Sequence, residues 1–342
     1  MAWLDPWPCR VALVSDPTKV GAGGVSNFPA YLNGAVLPAQ VFSFCLANGA
    51  DFRLTAADGT TLYDYELVSI DRATGALELH WKVPSLSSAS AVYNYLYFGN
   101  RKAVSAANPH SLWSDYALVA HMSEAASPFV DSSPNARTGT WYGASTGKTG
   151  KLYASGGQQF AGASTEWLSW GTYSSPAALT VSGWFNRGNS DNHAVACVWD
   201  TAAGSWFAYF AGTALQMSFA TGDDHAAATL TSTPGSWEHC SWGADASNII
   251  FCRNGVTETQ ALGHTLNKAL TLRQAVLTGW YFWFLGYMDE LRIRAELSTA
   301  AWLTTCYNAQ NSPQTFWSCG AVERRRRFYV MNPRRVIAPS WA

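Results

Sequence analysis

The sequence is poor in charge. Only 13% of its 342 residues are charged, and 22 basic residues nearly cancel 23 acidic ones, so the average surface must be made of Ser, Thr, Asn, Gly and Ala. The opening stretch, Met1-Ala-Trp-Leu-Asp-Pro-Trp-Pro-Cys-Arg10, lacks the basic and apolar regions of a secretory signal. The longest apolar stretch, Leu277 to Met288, is interrupted by Thr278, Gly279 and Gly286 and is too short to span a bilayer, which takes about 20 residues. The seven cysteines, at 9, 45, 197, 240, 252, 306 and 319, form no C-x-x-C pair and no zinc-knuckle spacing. Their odd number leaves at least one unpaired within the chain, and burial as small hydrophobes is the expectation. Seven scattered histidines (80, 110, 121, 193, 225, 239 and 264) come without His-Glu-x-x-His or Gly-x-Ser-x-Gly, so each is expected to be a satisfied or exposed side chain. Gly21-Ala-Gly-Gly24 is not followed by Lys-Ser/Thr and reads as a connection rather than a phosphate loop.

What the chain has instead is aromatic residues: 17 Trp, 15 Tyr and 16 Phe, residue types that favour pleated, half-buried surfaces. The length suggests two domains. Residues 9 to 100 read as short strands: Cys9 to Ser15, Val41 to Phe44, a reversal at Asp58-Gly59, then Leu77, Leu79 and Trp81 alternating with Glu78 and His80. That alternation predicts a strand with one face buried. In Leu179 to Asn186, Leu179, Val181 and Phe185 share a face, and Asn254-Gly255 supplies a tight hairpin after Asn248 to Cys252. One helix is expected over about 298 to 309, capped by Ser298, with Leu297 and Trp302 as a hydrophobic staple and an apolar stripe through Trp302/Cys306 and Leu303/Tyr307. From Glu323 onward, Arg324, Arg325, Arg326, Arg327, Arg334 and Arg335 face a single acid, so the rest of the chain is net acidic.

Two resemblances emerge from ordered blocks of residues. Trp7-Pro-x-Arg10, Asn27-Phe28-Pro29, Asn48-Gly-Ala-Asp51-Phe-Arg-Leu54, Asp58-Gly59, Tyr65-Glu66, Trp81-Lys-Val-Pro84 and Tyr97-Phe98-Gly99-Asn100 together resemble a small β-domain of unknown function found in bacterial and phage surface proteins. Leu118-Val-Ala-His121-Met, Asp131-Ser-Ser-Pro-Asn135, Gly150-Lys151-Leu152, Leu179 to Phe185, Arg253-Asn254-Gly255 and Met288-Asp289-Glu290-Leu-Arg-Ile293 run in the order of laminin-G-like, concanavalin A-like jelly rolls. This second resemblance covers about residues 115 to 316. Together they imply an all-β chain of two tandem β-sandwich domains: an N-terminal domain (1–105), a linker (106–115), a jelly roll (116–317) with one short C-terminal helix, and an extended basic-aromatic arm (318–342).

The jelly-roll resemblance also implies candidate sites. A rim calcium ion would use Asp131 and Asp289, which could equally be structural. Glycan contacts would come from Trp141-Tyr142, Trp167 with Trp170 and Tyr173, Trp199 to Trp206 with Asp200, and Asp223-Asp224-His225, although in a Trp-rich sandwich most rings, such as Trp184, Trp237 and Trp242, fill the core. Glucanases of this fold carry Glu-x-Asp-x-x-Glu, which is absent; Asp289 and Glu290 should fall on opposite faces of a strand. The arm mixes its arginines with Phe328, Tyr329 and other apolar residues. It suits strand addition and ion pairing onto a neighbouring subunit better than a solvated end or nucleic-acid binding, which an acidic body disfavours.

These features lead to one functional expectation. It is a non-enzymatic phage virion protein (capsid decoration, head fibre or tail component), assembled in the host cytoplasm, that contacts other virion proteins, self-associates and displays a lectin-like domain to glycans. A bacterial cell-surface carbohydrate-binding protein and a degenerate glycosidase are the alternatives.

Overall fold

Short aromatic and β-branched runs punctuated by Gly and Asn turns give almost nothing but antiparallel strands. The computed structural model describes residues 2–325 apart from 144–146, 149, 153–156, 201, 221–222 and 278–281, and only the backbone of 147–148, 220 and 223–224. The first unit contains β1 (Cys9–Ser15), β2 (Val25–Asn33), β3 (Arg53–Ala56), β4 (Leu62–Tyr63), β5 (Tyr65–Asp71), β6 (Ala76–Leu86) and β7 (Tyr93–Phe98). They form two facing sheets, β1-β7-β3-β4 and β2-β6-β5, packed over Val11, Leu13, Phe28, Leu79, Trp81 and Leu96.

The second unit begins with β8 (Tyr116–Ala120), β9 (Phe129–Val130), β10 (Thr138–Tyr142), β11 (Gly147–Lys148), β12 (Gly157–Ala161), β13 (Trp167–Ser174) and β14 (Leu179–Arg187). It continues through β15 (His193–Val198), β16 (Trp206–Ala211), β17 (Ala214–Ala220), β18 (Asp223–Thr231), β19 (Glu238–Ala244), β20 (Ile249–Arg253) and β21 (Val256–Gln260). It ends with β22 (Ala269–Gln274), β23 (Val276–Leu277), β24 (Phe282–Trp283) and β25 (Leu285–Arg294). One sheet runs β18-β17-β16-β15-β22-β13-β10-β9; the other runs β11-β12-β25-β14-β19-β20-β21, with β8 also on β25. Between them Leu179, Val181, Phe185, Trp206, Phe210, Trp242 and Leu291 make a jelly-roll core. The β20–β21 hairpin turns on Asn254 (φ 49°) and Gly255 (φ 81°), the positive-φ pair that its Asn-Gly sequence predicts.

Three local expectations give way. Val41 to Phe44 is not a strand but part of a short helix, α1 (Ala39–Phe44), started by Pro38; Val41 and Phe42 are both buried in the first unit's core, and that packing overrides β-propensity. A second helical turn, α2 (Pro109–Leu112), interrupts the linker, with the Asn108 side chain accepting from the Ser111 amide. Trp237, expected in the core, is only half-buried. Six of the seven cysteines are buried, Cys319 is half-buried, and all are free thiols.

The long helix is α3 (Ala300–Asn311), capped by Thr299 rather than Ser298: the Thr299 hydroxyl accepts from the Trp302 amide at 3.2 Å. Ser298 is buried, and its amide donates to Thr180 Oγ1. Trp302, Leu303, Cys306 and Ala309 join the first unit's core together with Ile250 and Cys252 of β20, so α3 is wedged between the units. It can lie this close because Gly21 has no side chain: a Cβ there would sit 2.4 Å from Ala301 backbone atoms, where the Gly21 amide instead donates to Thr305 Oγ1.

After α4 (Pro313–Phe316), the chain adds β26 (Trp317–Cys319) and β27 (Glu323–Arg324) to the edge of β1, pairing Ser15 with Trp317 and Cys9 with Arg324. The strand addition expected on a neighbouring subunit thus takes place within the chain, as far as Arg325. Arg10 pairs with Glu323 at 2.8 Å, Arg325 bonds Asp5, and Arg324 stands 4.9 Å over the Phe44 ring. Arg326, Arg327, Phe328, Tyr329, Arg334 and Arg335 lie outside the described residues. Trp317 anchors the return: it is fully buried 5.0 Å from Trp81, and its indole N–H donates to the Tyr31 carbonyl at 3.0 Å. Trp317→Ala should therefore cost about 3–5 kcal/mol, read as a lower midpoint in chemical denaturation; a loss under about 1 kcal/mol would mean that the return strand is not part of the folded core.

Candidate functional site

The polar side of β6 does not face water. Glu78 and His80 are 1% and 0% exposed, because the outer face of β25 lies against them. This corrects the one-sided strand expected from the alternation of residues 77 to 81. On β25, Met288 and Leu291 both enter the jelly-roll core while the two residues between them point away. A bulge opposite Gly183, with Glu290 in the left-handed region (φ 56°), makes this possible. Asp289 and Glu290 consequently share a side of the sheet, contrary to strict alternation, and both are buried at the junction of the two units.

Around them the junction is closely hydrogen-bonded. His121, just after β8, contacts Glu290 Oε1 through Nδ1 at 2.6 Å and Glu66 Oε2 through Nε2 at 3.1 Å. Glu66 also accepts from Trp113 Nε1 at 2.5 Å and from the Ser132 hydroxyl at 2.6 Å. The Arg292 guanidinium donates through two nitrogens to Glu290 Oε2 and stands 4.6 Å over the Trp113 ring. The Asp289 carboxylate accepts from the Lys151 and Leu152 amides, and Tyr31 on β2 donates to the Leu152 carbonyl, so one turn is clasped from both units.

Burial and charge divide these groups. Burial opposes the charge on Glu290, but Arg292 and His121 overcome it and hold the carboxyl well below the usual range. Burial opposes the His121 cation too, yet Glu290 and Glu66 raise it well above an ordinary imidazole. Glu66, against the same burial, is drawn down to about 2 by the His121 charge and its hydrogen bonds. Burial followed by the neighbouring Glu290 charge pushes Glu78 well up and Asp289 to about 8, while burial and Arg292 push His80 well down.

The sequence-predicted glycan residues separate into two groups. Trp170, Tyr173 and Trp206 are not rim rings: all are fully buried in the jelly-roll core, with Trp170 bonded to Gln274 and Trp206 to Ser175. Trp141 packs against Phe129 and Phe160, and Trp199 edges onto Phe207 at 4.8 Å. Asp200 accepts from the Ala202 amide and Ser205 and pairs with Lys268 at 3.0 Å. His225 is exposed, and the side chains of Asp223 and Asp224 are outside the described set. Tyr142 and Trp167 remain available: adjacent in register, they stack at 4.2 Å with a 7° interplanar angle, and Tyr142 is 45% exposed. Asp131 does not fit a rim calcium ligand, since it is buried and its oxygens accept from the Val119, Ser133 and Arg137 amides. Asp289 does not fit one either, being buried at the junction.

The jelly roll carries a cleft that motif reading missed. About 670 Å³ in volume, it is lined by the polar loop Asn189-Ser-Asp-Asn192, by His193, by Phe282 and Trp283, and by Ala161, Gly162 and Leu285. Its loop is pre-set: Asn189 Nδ2 donates to Asp191 at 2.6 Å, His193 Nε2 donates to Asn189 Oδ1 at 2.8 Å, and Asn192 Oδ1 accepts from the Gly212 amide. Asp191 and Asn192 are exposed, and Trp283 is half-buried. The chain segment that leaves the cleft at Gly162 leads directly to Trp167 of the stacked pair. The polar run between β14 and β15 was visible in the sequence, but not which aromatic residues it would meet.

No family model matches the chain, and no curated protein matches it. Solved structures similar to it include the receptor-binding domain of botulinum neurotoxin type G (TM-score 0.47, 9% identity, 57% of this chain and 51% of that one). The binding domain of Paraclostridial Mosquitocidal Protein 1 is similar at TM-score 0.46, with 9% identity over 57% of this chain and 52% of that one. The ligand-binding domain of botulinum neurotoxin serotype D, solved with N-acetylneuraminic acid, scores 0.45 at 10% identity over 60% and 53%. The chain spans about half the length of these structures, and likeness at this level assigns neither ligand nor function.

Breaking the junction's ion pair should be costly. Arg292→Met leaves Glu290 buried with one partner fewer and should destabilise the chain by about 3–5 kcal/mol. Glu290→Gln combined with Arg292→Met should recover much of that loss in urea unfolding; equal losses for the single and double variants would show that Arg292 acts through packing alone.

Proposed function

We propose that this chain is a non-enzymatic glycan-binding protein whose jelly roll presents the cleft beside Trp283, and that it serves as an accessory structural protein on a phage virion. The cleft carries the first half of this reading. A half-exposed indole beside Asp191, Asn192 and Ser190 offers what a sugar needs: an apolar face for ring C–H groups and pre-set donors and acceptors for hydroxyls. The Tyr142–Trp167 pair would extend the surface for a longer glycan. The absence of a glucanase motif from the sequence, together with the burial of Asp289 and Glu290, supports a binding rather than hydrolytic role.

The virion role rests on the sequence resemblances and on the polarised basic terminus. Its observable is co-purification with particles in fixed copy number; a chain found only on bacterial surfaces would favour the cell-surface reading. For glycan binding, the full chain is applied to a glycan array and to polysaccharide pull-downs with and without EDTA. Trp283→Ala and Asp191→Ala should each weaken retention by about tenfold or more, equivalent to about 1.4 kcal/mol, without moving the thermal midpoint. Loss of retention in EDTA that Ca²⁺ but not Zn²⁺ restores would add a calcium requirement. Release of reducing sugar would revive the hydrolase alternative, and no retention of any glycan would leave the jelly roll a purely architectural module.

A further inference from the structure

Four side chains drawn from both units bring donor atoms together at the junction. One ligand atom each of Glu78, His80, His121 and Glu290 lies within 4.8 Å of the other three, and all four residues are buried. We propose that this cluster is a structural divalent-cation site of the zinc class, ligated by His80 Nε2, His121 Nδ1 and one carboxylate oxygen each from Glu78 and Glu290, which fastens the two units together.

Spacing is the first support. Zinc bonds of about 2.0–2.1 Å in a tetrahedron place neighbouring ligand atoms about 3.3 Å apart. Glu78 Oε1 is 3.3 Å from His80 Nε2 and 3.6 Å from His121 Nδ1, so two edges are already set. The 2.6 Å contact between His121 Nδ1 and Glu290 Oε1 has only to open by a fraction of an ångström. Two imidazoles with two carboxylates suit zinc rather than calcium or magnesium, and four protein donors at a buried point make a closed, structural site.

The surroundings form a matching outer layer. A metal-bound imidazole commonly donates its other N–H to a carboxylate that is itself held in place. His121 does this: Nε2 meets Glu66, and Glu66 is fixed by Trp113 and Ser132. Glu290 keeps Oε1 toward the cluster because Arg292 occupies Oε2. His80 Nε2, the proposed ligand atom, makes only the 3.3 Å contact to Glu78, yet the ring is held in place by Tyr31, Trp113 and a stacked His121. Charge points the same way. The carboxyls of Glu66, Glu78, Asp289 and Glu290 are gathered around one guanidinium, Arg292, and two imidazoles, so the cluster balances its charge with protons that a divalent cation would displace. The Glu290 backbone, held at φ 56°, is a local cost that fits an enforced ligand position.

The test uses the full chain, stripped with chelator and titrated with Zn²⁺, then with Co²⁺ as a spectroscopic substitute. The expected result is uptake of one equivalent per chain, a rise in thermal midpoint reversed by chelator, and the visible bands of tetrahedral cobalt. His80→Gln and Glu78→Gln should abolish uptake, and Glu66→Gln should weaken it by about 10- to 100-fold. No uptake and an unchanged midpoint would overturn the site and leave the junction neutralised by protons alone. Unchanged affinity in His80→Gln would also overturn it, by placing the ion elsewhere. Should those variants fail to fold, X-ray absorption on the zinc-loaded wild-type chain decides: two imidazoles with oxygen support the site, whereas sulfur or fewer imidazoles refute it.

Discussion

Two polar sheet faces, one from each unit, are pressed together, and every charge between them has to be compensated in place. Burying a carboxylate is expensive unless it is paired and hydrogen-bonded. The junction meets that demand with His121 between Glu66 and Glu290, Arg292 on the far oxygen of Glu290, and Trp113 and Ser132 on Glu66. Geometry this specific fixes the register of one unit on the other in a way that apolar contact alone does not. The bulge at Glu290, the short α2 turn that delivers Trp113 and the clasped Lys151–Leu152 turn each place a member of it.

The units are also joined away from this polar centre. Helix α3 shares its apolar side between the first unit and β20, and the chain then returns to β1 as β26 and β27. Both units therefore depend on residues beyond 300, and a division into a jelly roll and a separate arm does not describe how this segment packs. The edge of β1, which would otherwise present unpaired amides to other chains, is covered by the chain's own continuation. The cleft loop and the Tyr142–Trp167 pair lie elsewhere on the jelly roll, on side chains that do not take part in the junction.

Much of this was legible in the residues. Strand β1 spans Cys9–Ser15 as read, the Asn254-Gly255 hairpin turns as its backbone chemistry requires, and the helix begins two residues from the predicted start. Among the candidate rings, Tyr142 and Trp167 remained accessible, whereas Trp170, Tyr173 and Trp206 went into the core. Period-two alternation tells which residues share a face but not what covers it, so Glu78 and His80 looked like solvent-facing residues. Glu66, His121 and Arg292 stood in blocks that carry the two resemblances, but nothing showed that they meet, because they lie 55 (121 − 66) to 226 (292 − 66) positions apart.

By itself the sequence determined the class: aromatic, charge-poor, turn-punctuated segments can bury their apolar faces only as paired antiparallel sheets, and local propensity with period-two patterning acts within a few residues. Only the tertiary structure decided that the polar side of β6 becomes interior, that Asp289 and Glu290 share a face through a bulge, and that residues 317–325 close on the chain's own first strand. These outcomes depend on which surfaces meet, a long-range matter of shape and charge compensation that no local pattern encodes.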